Sequence, residues 1–382
     1  MQLSQRKANM QTSSNLPSKG TDSFTPVCEY LDESVQRGEV AGGSVLLFQG
    51  GEIVLQTGFG YTDLESKSPF GVDTPVAIAS ISKPMVGTTL YCLAECGKLD
   101  LEIPISEYLP EFTDLKLESG EAVRRAPSIS ELLTHTSGIR ASEAAEGRIW
   151  FLDWTRDKTL EYVVEKIARD IPFKSQPGAA YAYSGIGTEV AARVGEIASG
   201  LPRNEMLETY LCTPLAMHTT FYRAADRMDL LECPMPTRYH LSKETGKLVE
   251  SAKRPIPKPN GYSPSGGSII STASELLNWL RMIRNNGIHD GKVFLASEWV
   301  TAMLRPHAFG EKAAGGLGVL ARDESGNPVV YRHGGSTGTN VWIDFERDLI
   351  GIMLTQTSGS DIKSFRFELE RLINVAVPHP RV

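Results

Sequence analysis

The sequence predicts an α/β (α+β) protein: one central antiparallel sheet assembled from both ends of the chain and flanked by helices, with a mostly helical lobe inserted. Three observations lead there. Strand-like runs occupy 44–57 and return at 318–355, helical periods fill much of the stretch between, and an amphipathic segment from Asp361 to Val375 closes the chain. The expected division is a polar arm at 1–24, a sheet lobe of 25–75 with 266–382, and a helical lobe of 76–265. The active site is expected between the lobes.

In chain order, Pro26 to Arg37 repeats apolar residues at helical spacing, and Val40-Ala41-Gly42-Gly43 breaks the pattern. Ser44 to Phe48 and Ile53 to Thr57 alternate as strands around the hairpin signal Gln49-Gly50-Gly51-Glu52, and Gly58 to Tyr61 continues the second strand. A polar loop, Asp63 to Pro75, leads to a helix that starts at Ser80, tolerates Pro84 in its first turn and stops at Gly97. Leu99 to Phe112 reads as a loop with short helical turns. Ser128 and Glu131 form a capping-box pattern before a short helix. Helical periods return at Trp150 to Arg169 and Gly187 to Ser199, interrupted over Pro172 to Gly178. Arg254 to Pro264, with four prolines, is an extended connector. Helices follow at Leu276 to Arg284, capped by Ser271 to Glu275, and at Ser297 to Leu304; the strands of the second half are Gly318 to Ala321, Val329 to Arg332, Asn340 to Phe345 and Leu349 to Thr355.

Composition narrows the function. At 41% hydrophobic and 22% charged, the chain belongs with ordinary globular proteins. A net charge of −7 and the lack of any basic run give no footprint for nucleic acid or an anionic membrane surface. Five cysteines, an odd number without metal-type clustering, suit a reducing compartment, and residues 1–24 hold no apolar run long enough for a signal-peptide core or membrane span. A cytoplasmic location is expected. Cys92 and Cys96, one helical turn apart, read as buried small apolar residues. No zinc-protease helix, paired C-x-x-C, Walker loop or dinucleotide fingerprint occurs, so neither metal nor organic cofactor is expected.

The chemistry centres on Ser80-Ile81-Ser82-Lys83. A serine hydroxyl is a weak nucleophile and needs a base; three residues along a helix place Lys83 beside it. The helix start offers backbone N–H groups, that of Ser80 among them, to an oxyanion. Tyr183, in a turn after Pro177-Gly178, is a phenol placed before a helix, and a neighbouring ammonium would favour its anionic form. In His333-Gly334-Gly335-Ser336 the glycines would let an acyl group approach, and an edge strand there could supply the second oxyanion N–H. His135 reads as a buried, hydrogen-bonded residue shaping the turn at Gly138, with a general base as the alternative. Gly334 to Gly338 also satisfies the G-x-S-x-G elbow, with Asp361 and His379 following. That pattern needs a helix directly after the serine, whereas Asn340 to Thr355 reads as two strands.

Taken in order, Ser80 to Lys83, Gly97 to Leu101, Leu132 to Gly138, Pro177-Gly178 with Tyr183-Ser184, Gly266-Gly267 and His333-Gly334-Gly335 resemble the class C β-lactamase and penicillin-binding-protein-like serine hydrolases. That family also holds carboxylesterases and D-amino-acid peptidases. The resemblance spans roughly 25 to 375 and implies the β-lactamase/transpeptidase-like fold. It makes Ser80 the acylated nucleophile, Lys83 and Tyr183 the shared base and acid, His333 the residue of the third motif, and the N–H groups of Ser80 and Ser336 the oxyanion hole. Gly185, Gly334 and Gly335 would border the substrate pocket.

Two departures bear on the substrate. Gly185 stands where the β-lactamase version has Asn, and so cannot hold a substrate amide through a side chain. His333 stands where that version has Lys, and a neutral imidazole anchors a carboxylate less well. The expectation is an esterase acting on a small molecule. The alternatives are a D-amino-acid peptidase, amidase or β-lactam hydrolase of the same fold, or a catalytically weak binding protein. His333 is expected to orient the Tyr183 phenol. The oligomeric state is not legible.

Overall fold

The computed structural model describes residues 21–139, 158–253, 256–307, 309, 312–359 and 362–377. Helix α1 (Thr25–Gln36) leads into the hairpin β1 (Gly42–Gln49) and β2 (Glu52–Asp63), followed by the short strands β3 (Ser68–Pro69) and β4 (Val76–Ala77). The helical part comprises α2 (Ser82–Glu95), α3 (Ile129–Leu133), α4 (Leu160–Asp170) and α5 (Gly185–Ser199). After β5 (Phe221–Tyr222) and β6 (Ile269–Ser271) come α6 (Ala273–Arg284) and α7 (Ser297–Leu304). Strands β7 (Gly318–Arg322), β8 (Pro328–Gly334), β9 (Asn340–Asp344) and β10 (Leu349–Thr355) precede α8 (Ile362–Ala376).

Seven strands form one antiparallel sheet in the order β7-β8-β9-β10-β1-β2-β3, so the two ends of the chain meet where β10 pairs with β1. This is the sheet expected from the sequence. Alternation along β1 sorts side chains between two cores: Val45 and Leu47 join Leu31 of α1 and Phe365 and Leu369 of α8, while Leu46 and Phe48 join the core under α2 and α6. Each fully buried leucine contributes about 1.5–3 kcal/mol by its removal from water. Gly351 makes room in β10 for the neighbouring Trp342, whose ring atoms would stand 2.0–2.3 Å from any Cβ there.

The predicted capping box is present, and two further caps bound α5. Ser128 and Glu131 form the reciprocal capping box of α3, Ser184 accepts from Gly187 N–H at the start of α5, and Gly200 ends α5 at φ +72°. Three expectations need correction. The helix expected from Ser80 begins with a 3-10 turn, Ala79–Ile81, and becomes α-helical only at Ser82. The strand carrying His333 is not at the edge, because β7 lies outside it; the β7 pairing runs only as far as Arg332, so His333 and Gly334 project beyond that partner. Cys92 is buried but Cys96 is exposed. The first part of the helical period read from Trp150, and Asp361 and His379 of the rejected elbow pattern, lie outside the described residues. After Gly338 the chain continues as strands β9 and β10, as the rejection required.

Candidate active site

Strand β4 delivers the chain to Ser80 through Ala79, which has φ +51°, a left-handed conformation costly for a residue with a Cβ. Neighbours on two sides hold it. The Ile78 N–H donates to the Ile269 carbonyl, and the Thr339 hydroxyl donates to the Ile78 carbonyl at 3.0 Å. The turn at Ser80 then feeds α2, and Lys83, 7% exposed, donates one hydrogen bond to Ser80 Oγ at 3.1 Å and another to the Gly266 carbonyl at 2.8 Å. A Cβ on Gly266 would stand 3.1 Å from Lys83 Cγ, Cε and Nζ, so the glycine permits this close approach.

The loop carrying Gly266 is anchored from α5. Buried Glu189 accepts the Ser265 N–H at 2.9 Å and the Gly266 N–H at 3.5 Å; burial raises its carboxyl pKa against the pull of those bonds and of Arg203. Arg203 donates to the Ser263 carbonyl at 2.5 Å and to the Ser265 hydroxyl at 3.0 Å. Lys83 is thereby held from above by backbone whose own position is set by a buried carboxylate and a buried guanidinium.

Tyr183, 39% exposed, presents its ring 5.1 Å from Lys83 Nζ, measured to the centroid. His135 is buried and hydrogen-bonded, as the first reading of that residue expected, and the turn it holds is the one around Tyr183: its carbonyl accepts from Ala182 N–H, its Nδ1 accepts from Ser184 N–H at 3.3 Å, and its backbone adopts φ +61°. The His135 ring also packs on Tyr183 at 4.4 Å between centroids. Burial, with the added repulsion of Lys312 and Lys83, holds the His135 imidazole well below its ordinary pKa, and it is neutral at neutral pH.

The turn after β8 approaches Ser80 from the other side. Gly335 N–H donates to Thr339 O at 2.7 Å, and a Cβ on Gly335 would meet Thr339 Oγ1 at 2.0 Å and both Ala79 Cβ and Ile78 O at 2.9 Å. The turn is also pinned by Thr337, whose hydroxyl donates to the Ala77 carbonyl at 3.3 Å. Ser80, Lys83, Gly185, Gly266, Gly335 and Ser336 share the wall of one cleft of about 1030 Å³. Gly334 instead backs onto the Arg366 guanidinium, 2.7 Å from where its Cβ would be. His333 is 5% exposed, with Nδ1 3.1 Å from the Gly334 carbonyl and Nε2 buried with no hydrogen-bond partner among the described residues. The imidazole against the Tyr183 ring is therefore that of His135, where His333 had been expected.

The sequence profile of the beta-lactamase family matches residues 28–374. The chain belongs to that family. Among curated relatives, this family member is 26% identical over 280 residues to esterase EstB of Burkholderia gladioli, covering 67% of this chain and 69% of that one. It is 25% identical over 307 residues to the putative penicillin-binding protein PbpX of Bacillus subtilis, covering 80% and 67%. Among solved structures it resembles EstCE1, described as a hydrolase with promiscuous acyltransferase activity, at TM-score 0.77 and 24% identity over 94% of this chain and all of that one. Simvastatin synthase LovD of Aspergillus terreus superposes at TM-score 0.74 and 18% identity, over 94% of this chain and 98% of that one. These last two likenesses show the shared fold.

Sequence reasoning missed three residues of this site. Gly266 had been noted without a role, Glu189 lies in a helical period that gave no reason to single it out, and Lys312 had no motif around it. The Lys312 ammonium stands 5.8 Å from the centroid of the Tyr183 ring, with the residue 9% exposed.

Proposed function

We propose that this chain is a serine hydrolase that cleaves a small-molecule carboxylic ester through an acyl-Ser80 intermediate. The observation that carries the reading is the Lys83 side-chain nitrogen, bonded at once to Ser80 Oγ and to the Gly266 carbonyl on the wall of a large cleft. Ser80 Oγ bonds to the ester carbonyl carbon as its proton passes to the Lys83–Tyr183 pair, and the oxyanion forms between the N–H groups of Ser80 and Ser336. The carbon–oxygen bond to the alcohol then breaks, the pair returning the proton to the leaving oxygen. Water attacks the acyl-enzyme with the same proton transfers, releasing the acid and restoring Ser80. These steps call for no metal or organic cofactor.

Esters are favoured over β-lactams and peptides by Gly185, which has no side-chain amide, and by His333, whose burial, with Lys312 and Lys83 nearby, keeps it neutral and well below its ordinary pKa. The likeness to esterase EstB points the same way. On this reading the cleft lies between a sheet lobe, 25–75 with 266–382, and a helical lobe, 76–265. Among the described residues no helix is long and apolar enough to cross a membrane, and five free cysteines support a cytoplasmic setting.

The test compares p-nitrophenyl acetate and butyrate with a chromogenic cephalosporin and a D-alanyl-D-alanine peptide at equal titrated active sites. Fastest turnover of the esters is expected. Faster opening of the cephalosporin or cleavage of the peptide would move the assignment to the amidase branch. No turnover, with no fluorophosphonate labelling, would make the chain a binding protein.

A further inference from the structure

A second cavity, of about 440 Å³, lies between α2, α3 and the end of α7, and none of its wall residues lines the catalytic cleft. Its size is that of a small-molecule pocket. Tyr91 of α2, 3% exposed, is part of its wall, with its ring held edge-on to Trp299 of α7 at 6.2 Å. Among the described residues no hydrogen bond reaches the Tyr91 hydroxyl. Burial, with the Glu102 charge, raises the pKa of this phenol against the pull of Arg305, so it stays a neutral donor. Two of the charged walls are occupied by each other: Arg125 donates to both Glu131 carboxylate oxygens, at 2.7 and 2.5 Å. The other two are not. The Arg305 guanidinium makes no ion pair or hydrogen bond among the described residues, and Glu102 accepts at one oxygen, from Ser130 Oγ at 2.5 Å.

We propose that this cavity binds a small zwitterion with an apolar side chain, a free amino acid or a dipeptide, whose carboxylate is taken by Arg305 and the Tyr91 hydroxyl and whose ammonium is taken by Glu102. One cation, one anion and a neutral donor around a single space fit a ligand that carries both charges. A simple anion would face the Glu102 carboxylate and a simple cation the Arg305 guanidinium, each at a cost that the opposite charge of a zwitterion removes. Pro104, Ala302, Pro306 and Ala314 leave apolar wall for the side chain. The site stands apart from Ser80, and the proposal does not depend on the hydrolase reading.

Isothermal titration calorimetry of the full chain with L-leucine, D-leucine and L-leucyl-L-leucine tests this, against leucinamide, which lacks the carboxylate, and isocaproate, which lacks the ammonium. At least one zwitterion is expected to bind with a dissociation constant below about 1 mM, and both single-charge analogues more weakly by about tenfold. Whether an amino acid or the dipeptide binds tighter decides between the two sources. Arg305 and Glu102 are exposed, so Arg305→Gln and Glu102→Gln leave the fold intact. Arg305→Gln should abolish the preference for the bound zwitterion over leucinamide, and Glu102→Gln its preference over isocaproate. Tyr91→Phe should weaken the zwitterion about three- to tenfold. No binding of any zwitterion, single-charge analogues that bind as tightly, or preferences unchanged in the two charge variants would each overturn the proposal.

Discussion

The Gly266 carbonyl accepts a hydrogen bond from Lys83 at 2.8 Å across 183 positions of sequence. The Lys83 nitrogen is thereby clamped between two fixed oxygens, that of Gly266 and the Ser80 hydroxyl at 3.1 Å, rather than free to sample rotamers.

Gly266→Ala tests the clamp. The new methyl would lie 3.1 Å from three atoms of the lysine side chain, so one side must give by a few tenths of an ångström and the Lys83–Ser80 contact lengthens. Acylation should slow by about ten- to a hundredfold, the scale of a small misplacement of reacting groups, with the thermal midpoint nearly unchanged. Wild-type rates in a folded variant would show that the close approach is incidental.

Gly335→Ala addresses the turn proposed to carry the second oxyanion donor. A Cβ there meets Thr339 Oγ1 at 2.0 Å and the Ala79 and Ile78 atoms at 2.9 Å, so the turn bearing Ser336 must draw back from Ser80. Loss of one oxyanion donor costs roughly a hundred- to a thousandfold in kcat. That fall in kcat, with KM little changed, is expected; a rise in KM alone would place Ser336 in ground-state binding.

Stability should depend on pH through His135 and His333. Burial first, then Lys312 and Lys83, hold both imidazoles well below 6.5 in the folded protein. Below 6.5 the unfolded chain binds protons that the folded chain refuses. The stability they confer is complete above that pH and is lost as the pH falls toward the folded-state values. Each contributes a slope of up to about 1.4 kcal/mol per pH unit. Urea unfolding between pH 7.5 and 5.5 should show the decline, and His333→Gln should remove part of it. Equal stability at the two ends would contradict the buried neutral state of both rings.

Much of this could be read from the chain, and the reason differs between elements. The sheet was legible because β1, β2, β9 and β10 are long enough to show apolar patterning, and the cap of α3 because Ser128 and Glu131 are a local signal. Ser80 and Lys83 were legible because one helical turn relates them. The stretch 201–253 gave no pattern, since its helix Arg203–Leu207 passes straight into a π-helical turn, Glu208–Cys212, and its strands of two or three residues are too short to show alternation. Lys312, Gly266 and Glu189 were hidden for another reason: each matters through a partner brought close only by folding. The packing of His135 on Tyr183 was hidden similarly, because it depends on φ +61° at His135, which turns a residue of the α3 turn toward a phenol 48 positions away.

The central claim is that Ser80, served by Lys83, carries the acyl group. The most direct measurement is the intact mass of enzyme quenched during turnover of a p-nitrophenyl ester, with the modified peptide mapped, in wild type, Ser80→Ala and Lys83→Ala. One acyl group on the peptide containing Ser80 is expected in the wild type, none in Ser80→Ala, and formation slowed by at least about a hundredfold in Lys83→Ala, the scale of losing a general base. An acyl group on another residue, or full turnover by folded Ser80→Ala, would contradict the account.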